Sequence, residues 1–331
     1  MGLTTTAPGA AAADGLGEEA SPLPSRPGAA ASGLRLGLGD DPRRLRRGLL
    51  LPVRAVALLV LVAPLLFALG LSFTGWSPTQ GSVWNASWIG LDNYDELFRD
   101  DDRFIEAVVR TLGMSVTCLS LEFLLGLGLA LLFLRRFPGK RLAFSVLLAP
   151  MMILPVVVGY TFWMLFQSDG PINQVIVLLS GARPGWLRDP SLAFVAVVVT
   201  EVWHWTPLFF LVLLSGLNAV PENPVRAAVV LGASPWQVFR DVLLPAIRPV
   251  IVVAFVLRGM EILKLFDEVY LLTRGGPGTS TETIGLYIYK LAFNDFRLSY
   301  AAAAAFVVLV VTLVLIYALL RTVRDQLVSA R

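Results

Sequence analysis

The chain has 331 residues, of which 56% are hydrophobic and only 15% charged, with a mean hydropathy of +0.71. Ordinary soluble domains are less apolar and more heavily charged. A net charge of +3 and a pI near 9.2 could suggest nucleic acid, but the basic residues sit at the ends of apolar blocks, which fits membrane orientation instead. With one cysteine, Cys118, and one histidine, His204, an intramolecular disulfide is excluded and a zinc site is not expected.

Residues 1–47 are rich in Ala, Gly, Pro and Ser and lack apolar periodicity, so they read as a disordered tail. The tail ends in Arg43, Arg44, Arg46 and Arg47. The apolar run after it is too long for a signal peptide, and more such runs follow. Six blocks have about the length needed to cross a hydrocarbon core of roughly 30 Å. They cover about 49–73, 108–134, 142–166, 192–214, 250–266 and 301–320. Residues 48–325 thus read as one all-α transmembrane domain, with 326–331 as a C-terminal tail.

Lys and Arg in the connections set the orientation. The N-terminal flank, the second-to-third and fourth-to-fifth connections and the C-terminus together hold fifteen, against eight on the opposite side. Both termini are therefore expected in the cytoplasm. Trp76, Trp84 and Trp88, in the first connection, suit an interfacial belt, and Asp100, Asp101 and Asp102 suit the outer face.

The stretch from Pro221 to Pro249 reads as two short helices around a tight turn. Asn223 can cap the first, with Pro224 at its first position. Gly232 can take the left-handed conformation that ends it. Ser234 and Pro235 repeat the cap-plus-proline start, Trp236 and Phe239 share one face, and Pro245 marks the turn back toward the membrane. An ordinary connection of two amphipathic helices would look similar, although ordered loops of this length tend to be functional.

In this loop Ala227, Ala228, Gly232, Leu244 and Pro245 resemble the Glu-Ala-Ala loop of ABC-importer permeases. Arg226 stands where Glu is usual and Leu231 where Asp often precedes the glycine. Gly90-Leu91-Asp92-Asn93-Tyr94, the stretch Pro150–Pro155 with Gly159, Trp163, Gly170 and Asn173, and Phe266–Pro277 continued by Thr283, Tyr287, Tyr289 and Phe293 resemble further segments of the maltose-type carbohydrate-uptake permeases. The resemblance covers roughly residues 50–325. It implies a six-helix type I importer permease bundle in the cytoplasmic (inner) membrane, with a cytoplasmic coupling helix around Arg226, Ala227, Ala228, Gly232 and Ala233. It also implies a second homologous permease, two ATPase subunits and an extracytoplasmic solute-binding protein as partners. ATP and magnesium would be bound by those ATPases: this sequence has no Gly-x-x-x-x-Gly-Lys-Ser/Thr loop. No cofactor, no catalytic role and no nucleic acid are expected for the chain itself.

Arg258, Glu261, Lys264 and Asp267 recur every three residues in the fifth block. Charges at mid-membrane cost about 2.5–3.5 kcal/mol each on insertion scales, so this face should turn from lipid. One reading is a salt-bridge ladder, Arg258 to Glu261 to Lys264. The other is that these residues, with Trp203 and Glu201, line the solute pathway. Trp163, Trp205 and Phe209 are further possible platforms for a polyhydroxylated solute. Glu122 reads as a buried inter-helix contact, His204 as a hydrogen-bonding residue and Cys118 as packing. An ion-coupled secondary transporter relaying protons through Glu201 and His204 is the alternative function, and a membrane-embedded enzyme ranks last because no nucleophile–base pair is visible.

Overall fold

A computed structural model of the protein describes residues 42–329; most of the expected tail lies outside them. The chain divides into two units at Leu58 and Leu59, and every contact described below lies within the second. Among the described residues the secondary structure is helical, apart from one isolated bridge between Thr74 and Trp88. Among the described residues, five helices are long and apolar enough to cross a membrane: Leu50–Ser72, Asp102–Leu134, Pro190–Asn218, Pro235–Ile262 and Leu298–Ala318.

Helix α1 (Pro42–Ser72) begins within the stretch expected to be tail. A short α2 (Asp92–Arg99) precedes α3 (Asp102–Leu134), whose first turn is capped by the Asp101 carboxylate accepting from the Phe104 amide at 2.9 Å. The third expected block is not one helix. It is divided into α4 (Lys140–Leu148), a 3-10 turn (Pro150–Met152) and α5 (Pro155–Leu165). Pro155 accounts for the second break: a residue before proline avoids helical geometry, and Leu154 is extended at ψ 139. A surface helix, α6 (Pro171–Ser180), follows.

Helix α7 (Pro190–Asn218) starts at Asp189, whose carboxylate accepts from the Ser191 and Leu192 amides. It lies along α3, the most extensive helix pairing in the bundle. Glycine makes this possible: a Cβ on Gly126 would stand 2.6 Å from Cβ of Phe209. Small residues of this kind let membrane helices approach closely. Next come α8 (Glu222–Val230), α9 (Pro235–Gln237), a π-helical stretch (Val238–Leu243) and α10 (Leu244–Ile262). The last three form one continuous helix, so the expected turn at Pro245 is absent. Pro245 has no N–H for the preceding turn, and the widened π turn just before it is a usual site for such a local misfit in the helical ladder.

Two short helices, α11 (Asp267–Leu272) and α12 (Ile284–Phe293), precede α13 (Leu298–Ser329), which runs through most of the expected C-terminal tail. Helix α11 packs on α5, where Gly159 comes so near that a Cβ there would meet Leu271 Cβ at 3.1 Å.

Candidate functional site

Arg258 is the centre of the most heavily charged part of the core. The residue is 1% exposed. Nε donates to Glu122 Oε2 and Nη2 to Glu122 Oε1, both at 2.9 Å, forming the planar two-bond fork that matches guanidinium to carboxylate. Nη2 also donates to Glu201 Oε1. The guanidinium lies 4.6 Å from the centre of the Trp205 ring, close enough for a cation–π attraction. The expected ladder within the fifth block is therefore not formed. Arg258 bonds across to α3 and α7, while Glu261 and Lys264 fall on the exposed side. Helical geometry explains the difference: Arg258 shares the buried face with Ala254 and Ile262, whereas Glu261 continues the exposed stripe of Val253 and Leu257.

One turn along α7 from Glu201, His204 is also buried. Its Nδ1 lies 3.1 Å from Glu268 Oε1 and its Nε2 3.1 Å from the Ile153 carbonyl. The break before α5 is what frees that carbonyl from a helical partner. Because a carbonyl only accepts, Nε2 carries a hydrogen, and the contact at Nδ1 then requires one more proton, on the ring or on the carboxyl. The pair is neutral overall in either form. Glu122, Glu201 and Arg258 together hold two carboxyls against one guanidinium, and Glu201 Oε2 has no hydrogen-bond partner among the described residues.

The other expected pathway residues are dispersed. Trp203 is 43% exposed and borders an apolar groove with Leu121, Val199 and Pro207. Asp267 is half-buried at the start of α11. Phe209 is wholly buried, and Trp163 is 37% exposed. Glu122 and His204 have the inter-helix and hydrogen-bonding contacts expected of them, and Cys118 is buried. Glu268 was not singled out in the sequence. Its signal is a second acid beside Asp267 at the edge of an apolar block, which periodicity alone does not assign to a partner.

In the loop, α8 starts at Glu222, and Pro221 precedes it with no side-chain cap; Asn223 and Pro224 lie inside the first turn, where missing amide partners cost little. Gly232 ends it at φ +83. The Gly232 amide donates to the Val229 carbonyl and the Ala233 amide to the Ala228 carbonyl, both at 3.0 Å, which is the Schellman arrangement. Ser234 and Gln237 then form a capping box. The Trp236 and Phe239 rings lie 5.4 Å apart. Arg226 pairs with Glu222 on the surface, Ala227 is exposed and Ala228 and Ala233 are half-buried.

A second buried acid, also missed in the sequence, holds the segment between α11 and α12. Glu282 accepts from Arg103 Nε and Nη2 at 2.8 Å and from Lys290 Nζ at 2.7 Å. Asp101 accepts from the Tyr287 and Tyr300 hydroxyls. Burial pushes both carboxyls up, but these donors outweigh it and hold each below its ordinary value.

The chain matches the model of the family described as binding-protein-dependent transport system inner membrane component over residues 122–329. It is 32% identical over 272 residues to the trehalose/maltose transport system permease protein MalF of Thermococcus litoralis, covering 81% of this chain and 88% of that one. It is 34% identical over 269 residues to the trehalose transport system permease protein SugA of Mycobacterium tuberculosis, covering 81% and 85%. Among solved structures, a bacterial ABC transporter that imports the acidic polysaccharide alginate superposes with a TM-score of 0.73 at 25% identity, over 85% of this chain and 96% of the other. The long apolar helices, the organised loop around Gly232 and these likenesses agree: the chain belongs to the family of binding-protein-dependent transport system inner membrane components.

Proposed function

We propose that the chain is the permease subunit of an ATP-driven importer for a sugar or a related polyhydroxylated solute, with both termini in the cytoplasm. It works beside a second permease, two ATPase subunits that bind ATP and magnesium, and an extracytoplasmic solute-binding protein. The observation that carries this reading is the loop of residues 221–249. Its backbone is internally satisfied by the Schellman turn and the capping box, yet Val229, Val230, Leu231 and Trp236 are 58–87% exposed. An apolar surface on an ordered loop marks a protein contact. The partner in this reading is the ATPase, and Arg226, Ala227, Ala228, Gly232 and Ala233 form the segment that receives its motion. The sugar class is supported by the two relatives named for trehalose or maltose transport, and the binding protein by a solved alginate transporter in complex with its periplasmic protein.

Movement of α8 would switch the pathway between outward and inward access, and Trp203, Glu261, Lys264 and Asp267 are the accessible polar and aromatic groups that could meet a solute. The test is reconstitution of the whole importer in liposomes, with uptake of radiolabelled trehalose and maltose and release of phosphate as readouts. Gly232→Trp forces a bulky side chain into a left-handed position, which costs about 1–2 kcal/mol, and enlarges the contact surface. Uptake should fall at least tenfold. Wild-type uptake by this variant would overturn the loop assignment, and uptake by the chain alone under an ion gradient would overturn the importer reading.

A further inference from the structure

The buried charges around Arg258 stand at the inner end of a lever. The helix that leaves the loop at Pro235 continues to Ile262 without interruption. Its α10 part alone has 19 residues, a length of about 28 Å at 1.5 Å per residue. Arg258 lies one turn from its far end.

We infer that Arg258 is a positioning residue that locks α10 to α3 and α7, so that displacement of the 221–249 loop moves three helices as one body. This rests on the coupling-loop reading above. Apolar contacts are non-directional, so packed apolar helix faces can shear by small sliding movements. The Arg258–Glu122 fork cannot, since two bonds at 2.9 Å fix both distance and orientation. Glu201 and the Trp205 ring hold the same guanidinium from α7. Removing one partner from a buried ion pair leaves an uncompensated charge, so the arrangement resists shear. His204 extends the grip along α7 to Glu268 of α11 and to the Ile153 carbonyl in the break before α5. Through α7, the two sets of polar contacts therefore connect the lever to the packed region of α5 and α11, the helix that follows α10 in the chain.

Two measurements test the lock, both on the assembled importer in liposomes. The first compares wild type with Glu122→Gln/Glu201→Gln/Arg258→Met, which removes all three charges together, and with Arg258→Lys, which keeps a charge but loses the fork. The triple variant should retain basal phosphate release by the ATPases, lose most of its stimulation by the binding protein, and move at least tenfold less trehalose per ATP. Arg258→Lys should fall between. Wild-type stimulation and uptake in the triple variant would overturn the lock and leave the cluster a fold element. Gly232→Trp run in parallel separates the readings: normal transport in that variant sinks the loop assignment on which the lock rests, whereas impaired Gly232→Trp beside a wild-type triple variant sinks only the lock.

The second measurement does not depend on how well the triple variant folds. Spin labels on Leu124→Cys in α3 and Leu257→Cys in α10, both exposed positions, with Cys118→Ser, report the separation of the two helices. The lock requires that distance to stay constant between the nucleotide-free and the ATP-bound states. A change of several ångströms on ATP binding would overturn it.

Discussion

Val230 and Leu231 in the loop are 86% and 87% exposed, while Arg258, on the helix that grows out of that loop, is 1% exposed. The two regions reverse the usual placement of apolar and charged side chains. In the loop the main chain is complete and the side chains wait for a surface. In the buried charged cluster the side chains are almost complete within one chain: Arg258, Glu122, His204 and Glu268 all find partners, and of its carboxylate oxygens Glu201 Oε2 has none among the described residues. On the proposed function, the difference separates a contact made with another subunit from one made within the chain. Exposed apolar groups on a rigid loop lose nothing until a partner leaves, whereas a buried charge cannot lose its partner without a large penalty.

The largest expected effect follows from that asymmetry. Arg258→Met leaves Glu122 and Glu201 buried without a cation, at a cost of about 3–5 kcal/mol. Thermal unfolding in detergent, followed by tryptophan fluorescence, should show a sharply lowered midpoint. Adding Glu122→Gln and Glu201→Gln should restore most of it. If the single variant melted with wild type, the core would be no more demanding than the loop, and the contrast would fail.

Acidification sharpens the contrast at a third place. Glu282 is held below its ordinary value of 4.5, so its folded form binds protons less readily than the unfolded chain. Its stabilising contribution is complete above that value and is lost as pH falls through the lower, folded value. Asp101 behaves likewise from its ordinary 3.8. Below about pH 4, hydrogen exchange at residues 281–287 should accelerate before exchange along α7. Glu282→Ala, which strands the half-exposed Arg103 and Lys290, should reproduce that local loosening at neutral pH, at about 1–2 kcal/mol. Equal exchange in both regions at acid pH would place the weak point elsewhere.

How much of this was legible before the structure depended on the range of each signal. The long helices were visible because a membrane imposes a run of about 20 apolar residues, and Gly232 and Ser234 were visible because turn chemistry is local. The break in the third block left its mark in Pro150 and Pro155, but the unbroken apolar composition concealed it. The continuation of the Pro235 helix to Ile262 was hidden by Pro245, which normally stops a helix and here follows a π turn. The partners of Arg258 were out of reach: spacing along one helix offers Glu261, while the bonds made go to residues 136 and 57 positions away. Glu268 and Glu282 were missed for the same reason, since an acid near an apolar block does not reveal which distant helix carries its cation.

The smallest effect on stability belongs to Arg226, and it makes the cleanest separation of the two regions. Its pair with Glu222 is on the surface, with both side chains about three-quarters exposed. Pairs one helical turn apart in that setting contribute about 0.3–0.5 kcal/mol, so Arg226→Ala should leave the melting midpoint almost unmoved. In the assembled importer the same substitution removes a cation from the surface that the ATPase would touch. A tenfold loss of uptake corresponds to about 1.4 kcal/mol, more than the intrachain pair can supply. A loss of that size without a matching loss of stability must therefore arise at the contact with another subunit. Unchanged uptake would place Arg226 off the contact and leave the exposed Val230, Leu231 and Trp236 to make it.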